Sequence, residues 1–256
     1  MNIQFAESGA WLQTYFYPAN TPKVGYEEHV VVICHGYSEH ITRYAHVIKM
    51  LNDVGLHVAG IDLEGHGSSE GKRGHIRDIY EHNRNFIKFL DNLTEKRIYD
   101  HTITSFDLFG HSLGATLVAH MLVTEKELMA KYNVKNYVLS CPFYYSEAEL
   151  NNYGLKMAYD ILKGLPFRGL EIFPLSYRPD LSDNTLAEAD WINNPQVVKG
   201  FLNISTITEI LRLLHDASVY TDRDIADASD YTNTSKILVL GAGSGFLNWE
   251  MGKKLH

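Results

Sequence analysis

The stretch Ile103 to Phe109, the pentapeptide Gly110-His111-Ser112-Leu113-Gly114 and the segment Ala115-Thr116-Leu117-Val118-Ala119-His120-Met121 follow one another without a break. An apolar run, a sharp turn and a second apolar run in that order predict a strand, a strand-to-helix turn and a helix. Gly110 and Gly114 let the two backbones pass close together, and Ser112 is expected in a strained conformation that lifts its hydroxyl above the sheet edge. This is the tightest constraint in the chain, and it makes Ser112 the candidate nucleophile.

A second block lies upstream. Val30-Val31-Val32-Ile33-Cys34 reads as a buried, β-branched strand that runs straight into His35-Gly36-Tyr37-Ser38-Glu39-His40. Acyl transfer through a serine builds an oxyanion that needs two preorganised N–H donors. The residue after the nucleophile, Leu113, supplies one, and the loop after the earlier strand supplies the other, assigned to Tyr37. Gly36 frees that loop to turn its amides inward. His35 is read as a hydrogen-bonding brace of the loop, not as a participant in the chemistry.

The coarse order predicts a mostly parallel sheet. Ile3-Gln4-Phe5 and Trp11 to Phe16 flank Glu7-Ser8-Gly9-Ala10 as an edge hairpin. Strands are expected near 29–35, 57–62, 105–111, 136–143 and 236–242, with helices near 41–54, 78–96 and 113–131. Alternation of this kind gives right-handed crossovers and sets the functional loops at the carboxyl ends of the strands.

Three blocks in register carry a family resemblance: His35-Gly36-Tyr37-Ser38-Glu39-His40 with Arg43-Tyr44, then Val58 to His75 around Asp62, Gly65, His66, Gly67, Gly71 and Gly74, then Gly110 to Gly114. They resemble the signature blocks of the monoacylglycerol lipase and lysophospholipase branch of the α/β-hydrolases, the serine aminopeptidase-like hydrolases. The resemblance implies an α/β-hydrolase fold, a doubly wound and mostly parallel sheet with a helical cap inserted over the active site. It also implies hydrolysis of a lipid ester, of monoacylglycerol or lysophospholipid type, through an acyl-enzyme at Ser112. In the middle block the charged and imidazole residues read as loop braces. His66 and His75 lack metal-ligand spacing, and neither a metal nor a cofactor is expected.

Composition agrees with an enzyme of this kind. A chain of 256 residues, 45% hydrophobic, is long enough for one large domain with an inserted lid. A net charge of −8 without a Lys/Arg stripe argues against nucleic-acid binding. No apolar run is long enough to span a membrane, and the N-terminus lacks the pattern of a signal peptide, so a cytoplasmic protein is expected, with peripheral membrane contact through the cap as an option. Cys34 and Cys141 fall in predicted strands, where packing is the ordinary role of a cysteine.

Between Phe143 and Ser235 one crossover helix is replaced by a long insertion with helical stretches at Leu155 to Leu162 and Ile207 to Leu214. Residues 145–215 are therefore expected to form the cap, with 1–144 and 216–256 as the core. The chain departs from the family beyond that point. A serine nucleophile needs a histidine base, and the histidine a carboxylate. The family's acid lies in a Gly-x-x-Asp turn after the strand matching Lys236 to Leu240, and here that turn reads Gly241-Ala242-Gly243-Ser244. The family's histidine follows a further helix and strand, and the closing strand and helix are expected to be missing, so hydrolysis through Ser112 is expected to be impaired in this chain. Three readings stay open: a shortened gene product, a non-catalytic lipid-binding relative, or recruited replacements such as Glu147 or Glu149 for the acid and His256 for the base. His215 is expected to face solvent. A peptidase or thioesterase of the same fold is the remaining alternative within the enzyme class.

Overall fold

The computed structural model describes residues 3–96, 99–142, 153–175, 184–218 and 236–240. Strands β1 (Ile3–Phe5) and β2 (Trp11–Tyr17) form the antiparallel edge hairpin, with Ile3 opposite Gln13 and Phe5 opposite Trp11. Then come β3 (His29–Cys34), a 3₁₀ turn (Ile41–Tyr44) leading into α1 (Ala45–Asp53), β4 (His57–Ile61), α2 (Ile79–Thr94) and β5 (Ser105–His111). Helix α3 (Leu113–Thr124), α4 (Lys126–Lys131), β6 (Val134–Ser140) and, much later, β9 (Lys236–Leu240) complete the sheet region. Among the described residues the sheet has seven strands in the order β1-β2-β4-β3-β5-β6-β9, with β9 paired in parallel to β6. β3, β4, β5, β6 and β9 are mutually parallel, and β2 joins β4 antiparallel.

Burial explains the pattern. β3 is buried at every position and β4 likewise, because helices cover both faces of a parallel sheet. Helix α2 turns Phe86, Phe89, Leu90 and Leu93 into the core, and Asp78 caps its first turn by accepting the Tyr80 N–H at 3.2 Å. The continuous helix expected over 113–131 is instead two helices, broken at Glu125, whose φ of −120° and ψ of 37° leave the helical region. β6 begins at Val134, ahead of the expected 136, with Tyr137 and Leu139 fully buried.

The insertion contains α5 (Tyr153–Gly164), β7 (Glu171–Leu175), α6 (Thr185–Asn193), β8 (Gly200–Asn203) and α7 (Ile204–Ser218). β7 and β8 pair antiparallel as a separate two-stranded ribbon, an element that helical periodicity alone did not foretell. The ribbon joins a proline-bearing stretch to a glycine-led one, and each is too short to show a period of two. The expected boundary at 215 falls inside α7, where Leu213 and Ala217 pack in the main core while Ser205 and Thr206 bond to Ile76 in the loop before α2.

Candidate active site

Ser112 stands between β5 and α3 with φ of 50° and ψ of −119°, in the positive-φ region that non-glycine residues rarely occupy. Three backbone bonds hold it there. Its N–H donates to Ser140 O at 2.9 Å, and its carbonyl accepts from Ala115 N–H at 3.0 Å and Thr116 N–H at 3.1 Å. The side chain makes no capping bond to the helix it precedes. The hydroxyl is half-exposed and has no hydrogen-bond partner among the described residues.

The two glycines are required by contact. A Cβ on Gly114 would lie 2.2 Å from Cys34 O and 2.5 Å from His35 O, and one on Gly110 would lie 2.5 Å from Ala115 Cα. β3, β5 and α3 therefore meet backbone to backbone. On the other side of Ser112, a Cβ on Gly36 would lie 3.1 Å from Ser112 Cβ and 3.3 Å from His111 O. The loop after β3 and the turn after β5 thus form one site.

That loop is held from below. Leu63 N–H donates to His35 Nε2 at 3.0 Å, which leaves His35 Nδ1 as the donor to Gly36 O at 2.8 Å. Glu39 N–H also donates to Gly36 O, at 3.3 Å. With the carbonyl tied on that side, the trans peptide directs the Tyr37 N–H the opposite way. Neither this amide nor that of Leu113, at the first position of α3, has an acceptor among the described residues. His35 is fully buried, and burial lowers its pKa, so it is a neutral brace.

The middle block behaves similarly. Asp62, fully buried at the end of β4, accepts from Ile41 N–H at 2.8 Å, Ser68 N–H at 2.9 Å and Tyr15 Oη–H at 2.9 Å. His66 is buried against Tyr37 and His35, with burial holding its pKa well below the usual imidazole value. His75 pairs with Asn203 at 3.1 Å. Among the described residues no group of three or more His, Cys, Asp or Glu side chains is arranged to hold a metal ion. The Cys34 thiol is buried and pushed up to about 12, a packing group and not a nucleophile.

A cluster absent from the expected site adjoins it. Glu39 Oε2 accepts from His111 Nδ1 at 2.9 Å, Tyr44 Oη at 2.6 Å and Gly36 N–H at 3.1 Å, and Arg43 lies 3.5 Å from Oε1. Burial pushes the Glu39 carboxyl up, but His111, Tyr44 and Arg43 outweigh it and hold it well below its ordinary range. Burial alone would lower His111; the hydrogen bond and charge of Glu39 raise it. Glu39, Tyr44 and His111 are visible in the sequence blocks, yet their meeting across 72 residues has no local signal. They line a cleft of about 530 Å³ that also takes in Arg43, His40 and Asp190.

The insertion docks on this same edge. Gln196 Nε2 donates to Ser68 Oγ at 2.6 Å, Arg43 pairs with Asp190 at 2.8 Å, and Thr206 Oγ donates to Gly74 O at 2.9 Å. His215, on α7, is exposed and 3.3 Å from Asp216. Glu147, Glu149, Ser244 and His256 lie outside the described residues.

Comparison with known proteins gives the family and the fold. The family described as serine aminopeptidase, S33, matches residues 26–223. A monoacylglycerol lipase of Mycolicibacterium smegmatis is 40% identical over 89 residues, 35% of this chain and 30% of that protein. A Bacillus subtilis phospholipase is 27% identical over 202 residues, 75% of this chain and 70% of its own length. The human monoglyceride lipase matches over 31% of its length, so this chain spans under a third of the first two relatives it matches. Among solved structures, the Paleococcus ferrophilus monoacylglycerol lipase superposes with a TM-score of 0.62 at 22% identity, over 90% of this chain and 89% of that one. The Saccharomyces cerevisiae monoglyceride lipase gives 0.66 at 14% identity, over 94% and 85%.

Proposed function

The chain belongs to the serine aminopeptidase, S33, family and is an α/β-hydrolase of the monoacylglycerol lipase-like branch, and from that premise we propose that it hydrolyses carboxylic esters of lipids through an acyl-enzyme at Ser112. The observation that carries the proposal is the Ser112 backbone, held at positive φ with its hydroxyl unused and Gly36 pressed against it. Ser112 Oγ attacks the ester carbonyl as its proton leaves to a base. The oxyanion is received by the Leu113 and Tyr37 N–H groups, the alcohol departs with a proton, and water then cleaves the acyl ester. His35, Gly36, Gly110 and Gly114 keep the two amides and the hydroxyl together.

Residues 145–215 serve as the cap in this reading. Its described part is docked on the loops beside Ser112 and leaves Phe167, Phe173, Leu186 and Phe201 exposed, side chains suited to an acyl chain or to peripheral contact with a lipid surface. A monoacylglycerol or lysophospholipid is the substrate type, in keeping with the names of the relatives. Free Cys34 and Cys141 go with a reducing, cytoplasmic setting. Among the described residues no helix is long and apolar enough to cross a membrane.

A second reading is a lipid-binding relative without turnover, and it is supported by the sequence: the turn after Lys236 to Leu240 reads Gly241-Ala242-Gly243-Ser244, with serine at the position where the resemblance implies an acid. Turnover of a monoacylglycerol and of p-nitrophenyl butyrate by the chain and by Ser112→Ala separates the two. Turnover lost in Ser112→Ala supports the hydrolase. Lipid binding with no Ser112-dependent turnover supports the binder.

A further inference from the structure

Glu39 is the one described residue bonded to both walls of the site. Its Oε2 accepts the N–H of Gly36, in the loop after β3, and the Nδ1–H of His111, the residue before Ser112. Its own N–H donates to Gly36 O, so the loop is gripped on both faces of the same glycine. Tyr44 Oη–H and Arg43 hold the carboxylate in turn, and Arg43 is anchored to Asp190 of the insertion.

We propose that Glu39 is a positioning residue that sets the separation and orientation of the Tyr37 and Leu113 amides, by tying the Gly36 peptide to the strand end that carries Ser112. The role rests on the hydrolase reading above. Oxyanion stabilisation depends on donors fixed before charge develops, and a shift of about 1 Å in such a site costs on the order of 100-fold in rate. His35, the Tyr37 hydroxyl and Ser38 tie the loop to the block after β4 and to the insertion, and none of them ties it to the turn after β5, so without Glu39 it could rock relative to that turn. The carboxylate closes that freedom, because two of its donors belong to different strands' loops and the third, Tyr44, fixes where it stands. Glutamine has the same size and can keep an oxygen where Oε2 accepts from Gly36, His111 and Tyr44, but it is an uncharged, weaker acceptor and turns its NH₂ group toward Arg43, itself a donor.

The test compares wild type, Glu39→Gln, Tyr44→Phe and Ser112→Ala on p-nitrophenyl butyrate, with inhibition by a trifluoromethyl ketone, which forms an anionic tetrahedral adduct on serine. Expected for Glu39→Gln is a fall in kcat of about 10²-fold with KM changed less than about threefold. Affinity for the ketone falls in proportion to kcat/KM, while affinity for the butyrate product is unchanged. Tyr44→Phe, which removes one donor and keeps the fold if Glu39→Gln does not, lowers kcat by a smaller factor in the same pattern. Wild-type kcat in both variants overturns the positioning role and leaves the hydrolase reading intact, as does a change confined to KM. Absence of Ser112-dependent turnover in the wild type overturns the hydrolase reading and the role with it.

Discussion

Ser38 and Val198, 160 residues apart, exchange two hydrogen bonds: Val198 N–H donates to Ser38 O at 3.1 Å and Ser38 Oγ–H to Val198 O at 2.6 Å. One end of this pair is in the loop that carries Tyr37, and the other is in the insertion. The loop and the segment docked on it therefore move together.

Ser38→Ala removes one of the two bonds and leaves the buried Val198 carbonyl short of a partner. A loss of about 1–2 kcal/mol is expected, concentrated locally. Hydrogen exchange should show faster exchange at 194–203 with the amides of β3 and β5 unchanged. Uniform acceleration across the sheet would instead mean that the insertion and core unfold as one unit.

Gly114→Ala places a methyl carbon against two backbone carbonyls that cannot rotate away, Cys34 O and His35 O. The crossing of β3 and α3 must open, at a cost of about 3 kcal/mol. Gly164→Ala is the control, since nothing lies within 4 Å of a Cβ there and its φ is not positive. Urea midpoints of the two variants should differ clearly, and equal midpoints would show that the strand-helix contact is looser than drawn.

Ser112 holds a conformation suited to glycine. Ser112→Gly should therefore stabilise the fold by roughly 1 kcal/mol while abolishing labelling by a fluorophosphonate. The thermal midpoint rises as reactivity disappears. A fall in the midpoint would mean that the hydroxyl contributes more to the fold than its lack of a capping bond indicates.

Acid should destabilise the protein through three buried imidazoles. His35 and His66 are lowered by burial, and burial brings His82 down to about 4. A histidine with a depressed folded pKa is protonated first in the unfolded chain. Its stabilising contribution is complete above the unfolded value of about 6.5 and is lost as pH falls toward the folded value. Each group steepens the pH dependence of unfolding by up to about 1.4 kcal/mol per pH unit in that window. His82 Nε2 has no partner among the described residues, so His82→Leu should fold and flatten the slope between about pH 4 and 6.5. An unchanged slope would place the acid sensitivity elsewhere.

What a sequence can state about itself is local. Five β-branched or apolar residues in a row made β3 legible, because a parallel strand covered on both faces needs no alternation. Glycines at fixed distances from Ser112 made the turn legible, because only their missing Cβ atoms let backbones approach within contact. The break at Glu125 and the β7-β8 ribbon were not legible, since neither leaves a period long enough to read. The Glu39 cluster was out of reach for a different reason. Glutamate, tyrosine, arginine and histidine in a loop are ordinarily solvated, and only the pairing of β3 with β5 brings Gly36, Glu39 and Tyr44 beside His111. The sequence by itself determined most strands and helices of the main sheet, the serine turn and the family. The tertiary structure decided which charged side chains lost their water and had to find each other, because desolvation acts on neighbours in space and leaves no mark on neighbours in the chain.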